Sequence, residues 1–260
     1  MTLQLLDQTR RWLNLLLAVA QIAVTVFCFS FGTSFDDAAG SPSADPPIVP
    51  AGYAFIIWSV IYAGCLAYGI YQFSGSRLDD PLLRRIGFFT ASGFLGCCIW
   101  LLCVRFGQLQ WTVPCILWMA ISLFGAFAAL WRVESPSWLL RLCVISPLSI
   151  YSGWLSVAIF ANTASVAKSF GWRPAVLGES AGSVALLVAA AALATFLLWQ
   201  SHWNLWYGGT ILWALVGIGV RNQFDLRNAQ VATTAWLLLA SFGLFALSNP
   251  LLTTLRTLRR

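Results

Sequence analysis

Long apolar stretches, separated by short polar segments, run along the whole chain. A helix that crosses a lipid bilayer needs about 20 consecutive, mostly apolar residues. Eight stretches reach or approach this length. They are Trp12–Phe31, Gly52–Phe73, Ile86–Phe106, Leu109–Trp131, Leu139–Ala167, Gly182–Gln200, Leu205–Arg221 and Thr233–Ser248. The pattern therefore predicts an all-α integral membrane protein with about eight transmembrane helices.

Composition agrees with this class and excludes others. Hydrophobic residues make up 59% of the 260 positions and charged residues only 9%, against about 25% charged residues in an ordinary soluble domain. A soluble enzyme or a nucleic-acid-binding protein would need more polar surface. The seven cysteines lie in apolar stretches without a CxxC or Cys/His spacing, so we interpret them as small core residues. We expect membrane lipid as a partner, no catalytic or metal-binding residues and no required cofactor.

The basic residues indicate an orientation. If the N-terminus is cytoplasmic, ten of the 15 Lys and Arg residues fall on the cytoplasmic side. Cytoplasmic loops are enriched in Lys and Arg, so both termini are predicted to be cytoplasmic. The first loop on the opposite side, Gly32–Ala51, is rich in Gly, Ser, Pro and Asp and either covers a site or is a spacer. The carboxylates all fall outside the eight stretches, which argues against an ion-coupled transporter.

Two of the predicted helices carry aromatic residues at helical spacing, so that each set lies on one face. The first face comprises Phe55, Trp58, Tyr62 and Cys65, and the second comprises Tyr151, Trp154, Ala158 and Asn162. One interpretation is packing between helices. The other is a pocket for a flat apolar ligand, in which Trp and Tyr rings form walls and a few polar groups orient the ligand.

These same residues carry a resemblance to a known family. Pro46-Pro47, followed by Trp58-Ser-Val-Ile-Tyr62, resembles the proline-rich loop and second helix of the TspO/MBR family (tryptophan-rich sensory protein, translocator protein). The spacing from Tyr151 to Asn162 resembles the fifth helix of that family. The resemblance covers roughly residues 10–168 and implies a five-helix TspO-like bundle over 1–168. Residues 169–260 would then add three transmembrane helices and a basic C-terminal tail.

The resemblance also implies a function and a site. Family members are membrane receptors or sensors that bind porphyrins, tetrapyrroles or sterol-like ligands inside the bundle. Carried over to this chain, the ligand-binding residues are Trp58, Tyr62, Trp154, Ala158, Asn162, Phe55, Trp100 and Tyr151. The ligand would be a small hydrophobic molecule such as a porphyrin. Cys97-Cys98 stands where the family has an Asn, so the polar side of the pocket is expected to differ.

Alternatives to a receptor remain open at the level of sequence. A facilitative transporter of a hydrophobic metabolite and a light-dependent porphyrin-modifying protein would both fit a Trp-rich membrane protein. A single sequence feature bears on the oligomeric state. Ser92 and Gly96 form a small-xxx-small pair on the third helix, a spacing that favours close helix contact, and the resemblance implies a homodimer through this helix.

Overall fold

The computed structural model describes residues 2–30, 45–75, 77–171 and 178–258, with side chains described from residue 4 to residue 248. These residues form helices and no β-strand, which confirms the all-α prediction. The first part of the Gly32–Ala51 loop and the side chains of the basic C-terminal tail lie outside the described residues. The helices, in chain order, are α1 (Thr2–Ser30), α2 (Gly52–Tyr71), α3 (Pro81–Arg105), α4 (Leu109–Leu130), α5 (Trp138–Ser169), α6 (Gly178–Gln200), α7 (Leu205–Val220) and α8 (Ala229–Leu258).

Hydropathy and length make this a multi-pass membrane protein. Among the described residues, seven helices are long and apolar enough to cross a bilayer. The exception is α7, whose 16 residues rise only about 24 Å at 1.5 Å per residue. A π-helical turn, Arg221–Asp225, continues directly from it.

Two helices begin earlier than predicted for identifiable reasons, and a third contains a π-helical turn. Helix α1 begins at Thr2 rather than Trp12, because Asp7 and Arg10 are buried and paired instead of lying in a solvated tail. Helix α3 begins at Pro81 rather than Ile86, because the Asp80 carboxylate accepts the amides of the first turn. In α5, a π-helical turn over Arg141–Ile145 precedes Pro147. The α-helix then continues from Ser146 to Ser169.

The chain packs as two compact units. The first contains Met1–Asp45 and Ile56–Leu155, and the second contains Pro46–Phe55 and Ser156–Arg260. The predicted division between a five-helix bundle over 1–168 and three added helices over 169–260 was based on family resemblance and not on packing. It stays a prediction.

In the first unit, α3 and α4 form an antiparallel hairpin with small residues at the contact. A Cβ on Gly96 would lie 2.9 Å from the Met119 side chain, and Ser92 Oγ lies 3.1 Å from Ser122 Oγ. The predicted small-xxx-small pair therefore packs α3 against α4 of the same chain. The homodimer stays a prediction.

In the second unit, α7 packs against α8 and against the chain segment that precedes α2. A Cβ on Gly219 would lie 2.8 Å from the ring of Trp236, so the glycine permits close approach of α8. Helix α7 begins with Asn204, whose side chain accepts the amides of Trp206 and Tyr207 at 3.1 Å. Trp213 Nε1 donates to the Ala54 carbonyl and Arg221 Nη1 to the Pro46 carbonyl, so the C-terminal half of α7 lies beside residues 46–54.

Candidate ligand site

The indole of Trp58, on α2, lies at the centre of a cluster of aromatic rings in the first unit. Its ring centroid lies 5.4 Å from that of Tyr62 and 6.4 Å from that of Trp100. From α5, the rings of Tyr151 and Trp154 approach edge-on at 5.7 and 6.3 Å. We call these five residues the aromatic cluster. The helical spacing places Trp58 and Tyr62 on one face of α2 and Tyr151 and Trp154 on one face of α5, and Trp100 comes from α3.

Exposure differs between the centre of the cluster and its surroundings. Tyr151 and Trp154 are 0% and 2% exposed, and Trp100 and Tyr62 are 7% and 8% exposed. Trp58 is half-buried. It is therefore the most exposed member of the cluster, while its neighbours restrict its orientation.

Polar groups border the aromatic cluster at two points. The Tyr62 hydroxyl lies 3.7 Å from Cys97 Sγ, and Tyr151 donates to Gln21 Oε1 at 3.2 Å. The amide nitrogen of Gln21 is buried and has no hydrogen-bond partner that meets normal geometry among the described residues. The thiol of Cys65, a weak acceptor, lies near the Gln21 side chain. A ligand oxygen would give this nitrogen a stronger acceptor.

Sequence reasoning did not identify Gln21 and Phe94 as neighbours of the cluster. The ring of Phe94 stacks on Tyr151 at 6.3 Å with an interplanar angle of 14°. Phe94 carries no signal that separates it from other apolar residues of α3. Gln21 does carry one, since an amide inside an apolar helix needs a partner in the protein interior.

The structure brings together five of the eight predicted site residues, and the other three lie in the second unit. Phe55, Ala158 and Asn162 are all half-buried. Ala158 and Asn162 follow Trp154 along α5 by one and two helical turns, as the spacing predicted. Their role in ligand binding stays a prediction.

Comparison with known proteins assigns the family. A model of the TSPO-like protein family matches residues 11–248. No curated protein and no solved structure matches the chain. The family match extends beyond the 10–168 region of the resemblance, through α6 and α7 and into α8. The chain belongs to the TSPO-like protein family.

Proposed function

We propose that this protein is a membrane receptor that binds a flat hydrophobic ligand, of the porphyrin or sterol type, on the aromatic cluster. The observation that carries the proposal is the position of Trp58, a half-buried indole surrounded by four buried aromatic rings. Membership of the TSPO-like family supports a receptor or transporter role in a membrane.

The physical case rests on preorganisation. A ligand that stacks on a freely rotating indole must first order that side chain, at a cost of about 0.5–1.5 kcal/mol. The edge-on rings of Tyr151 and Trp154 already restrict Trp58. A flat ligand in contact with the exposed part of Trp58 would therefore gain contact area at a low entropic cost. The amide nitrogen of Gln21, which is fully buried, would donate to a carbonyl or carboxylate oxygen of a ligand that enters between the helices.

The first experiment is a titration of the detergent-solubilised protein with protoporphyrin IX, followed by the Soret absorption of the porphyrin. We expect saturable one-to-one binding. Trp58→Ala should weaken it by roughly tenfold or more, as expected for a central aromatic contact, and Trp58→Phe should weaken it less. A Trp58→Ala/Trp154→Ala double variant should abolish saturation.

Trp111→Ala is the matched control, because Trp111 is 59% exposed and lies outside the cluster. It should bind as the parent does. Circular dichroism and thermal unfolding of every variant separate loss of binding from loss of fold. Binding by Trp58→Ala with parental affinity would contradict the site, and the absence of saturable binding by the parent would contradict the porphyrin proposal.

We also propose that both termini face the cytoplasm, supported by the distribution of basic residues. This orientation requires α7 to cross the membrane. The π-helical turn Arg221–Asp225 lengthens the helical segment to Leu205–Asp225. Reporter fusions at each end test the topology. Reporters on opposite sides would mean that α7 does not cross.

A further inference from the structure

Two of the seven cysteines lie near the turn that connects α3 to α4 in the first unit. Cys103 is in the last turn of α3, and Cys115 is in the second turn of α4. Only residues 106–108 separate the two helices, so these two helix ends lie together. Cys103 is half-buried and Cys115 is 8% exposed. We call these two residues the thiol pair.

Helical spacing places both cysteines on the faces by which α3 and α4 pack. A Cβ on Gly96 would lie 2.9 Å from the Met119 side chain, so these two positions mark the contact. Cys103 follows Gly96 by seven residues, and Cys115 precedes Met119 by four. Residues four and seven apart share one face of an α-helix. Each cysteine therefore lies on the contact face, nearer to the turn.

The side chains of the thiol pair also approach each other. Both cysteines are free thiols, and the thiol of Cys115 lies within interaction distance of that of Cys103. A disulfide needs its two Cβ atoms within about 4.5 Å, which two helices reach only when they pack closely. Glycine gives this hairpin such packing, since a Cβ on Gly93 would lie 2.7 Å from Leu123 Cγ. The same close packing, continued toward the turn, is what a bond between the thiols requires.

We propose that Cys103 and Cys115 are a dithiol site that is oxidised to an intramolecular disulfide. The oxidant is a low-molecular-weight disulfide such as oxidised glutathione. Cys103, the more exposed of the two, loses its proton and attacks one sulfur of the oxidant, which releases one thiolate and leaves a mixed disulfide. The deprotonated thiol of Cys115 then displaces the second thiolate. The two cysteines give up two electrons and two protons, and the oxidant takes them up as two thiols.

The position of the thiol pair suits an exchange with a soluble oxidant. Cys103 lies two residues before the last residue of α3, whereas Cys65 and Cys97 are 0% exposed. In the orientation proposed above, the turn between α3 and α4 faces away from the cytoplasm, and disulfides persist in oxidising compartments outside it. The proposal therefore changes the interpretation of two of the seven cysteines, from small core residues to a modification site.

The first test uses the detergent-solubilised full chain and needs no porphyrin. The protein is incubated with oxidised or with reduced glutathione, and its free thiols are then blocked with N-ethylmaleimide. The monomer band of a non-reducing gel is digested with trypsin, which cleaves after Arg85, Arg105 and Arg132. Mass spectrometry should find peptides 86–105 and 106–132 joined after oxidation and separate after reduction.

Single variants identify the cysteines that form the bond. Peptide 106–132 contains only Cys115, whereas peptide 86–105 contains Cys97 and Cys98 besides Cys103. Cys103→Ser and Cys115→Ser should each lose the joined peptide. Cys98→Ser is the matched control, because it removes a thiol from the same peptide, and it should keep the joined peptide. Circular dichroism of each variant confirms that the helices have formed.

Phenylarsine oxide tests the pair in the native fold without an oxidant. Its trivalent arsenic bonds two neighbouring thiols and releases one water, so a close pair holds it more tightly than a single thiol does. It should protect Cys103 and Cys115 from N-ethylmaleimide in the parent and in Cys143→Ser, which removes another half-buried thiol. Oxidation should also raise the midpoint of thermal unfolding by roughly 5 °C, because the bond closes a loop in the unfolded chain.

The outcomes decide the proposal independently of ligand binding. No joined peptide in the oxidised parent would overturn it. A joined peptide that persists in Cys103→Ser would also overturn it, since the bond would then belong to Cys97 or Cys98. A joined peptide without protection by phenylarsine oxide would mean that the bond forms outside the native fold. Because no readout involves porphyrin, each of these failures would leave the receptor proposal intact.

Discussion

Each of the two units contains a buried arginine, and the two arginines are used differently. Arg10 in the first unit is 1% exposed, and its Nη2 lies 3.7 Å from the carboxylate of Asp7, which also binds Arg84 at 2.6 Å. Arg221 in the second unit is 6% exposed and donates to backbone carbonyls of the proline-rich segment.

The comparison shows two ways of using a guanidinium in an apolar protein. In the first unit, Arg10 donates to the Leu78 carbonyl at 2.7 Å, but it also has the carboxylate of Asp7 at 3.7 Å to compensate its buried charge. Asp7 joins α1 to α3 through Arg84, so the identity of these side chains matters. In the second unit, the acceptors described above are carbonyls, which any residue supplies. There the required feature is the conformation of the backbone. Substitutions should therefore cost stability in the first unit and local order in the second.

The largest expected effect is that of Asp7→Ala. Its pair with Arg84, a side chain that is 45% exposed, is worth at most about 1 kcal/mol. Arg10, however, would be left as a buried cation without that carboxylate, a change that costs roughly 3–5 kcal/mol. We expect a loss of about 3 kcal/mol in the free energy of unfolding, measured by SDS titration of the protein in mixed micelles.

A charge swap sharpens this prediction. Asp7→Arg/Arg84→Asp restores one ion pair but places a new cation beside Arg10, so it should not rescue stability. Full rescue would show that the pair with Arg84 alone carries the effect and that the buried Arg10 does not depend on Asp7.

A smaller loss is expected from Gly87→Ala. The added Cβ would lie 2.5 Å from Arg10 Cγ, and the guanidinium is held by the Leu78 carbonyl at 2.7 Å. Because the side chain cannot retreat freely, overpacking should cost about 1–3 kcal/mol in the same SDS titration. Gly209→Ala is the control, since nothing lies within 4 Å of its added Cβ. An equal loss in the control would refute the steric explanation.

The smallest effects test whether neutral hydrogen bonds also differ between the units. The Tyr68 hydroxyl lies 3.0 Å from Thr90 Oγ1 in the first unit, and the Tyr207 hydroxyl lies 2.8 Å from Ser156 Oγ in the second. Tyr68→Phe and Tyr207→Phe should each cost about 1 kcal/mol in thermal or SDS unfolding. A large difference between them would mean that the contrast extends beyond the buried arginines.

Local patterns in the sequence predicted much of the molecule. Hydropathy located the helices, and helical spacing placed Trp58 and Tyr62 on one face and Tyr151 and Trp154 on another, which the structure brings together. The predicted start of α1 at Trp12 was wrong because the helix continues through the charged residues Asp7 and Arg10, which are buried. Asp7 pairs with Arg84, which no local pattern in the sequence connects to it.

The sequence by itself determined the membrane class, the number of apolar stretches and the aromatic faces, because each depends on residues within a few turns of one another. Only the tertiary structure decided the partners of the buried polar groups. Asp7 and Arg84 are 77 positions apart, and Arg221 and Pro46 are 175 positions apart. Such contacts form only when separate helices pack, since burial makes an unpaired charge or carbonyl costly and so selects the geometry that pairs it.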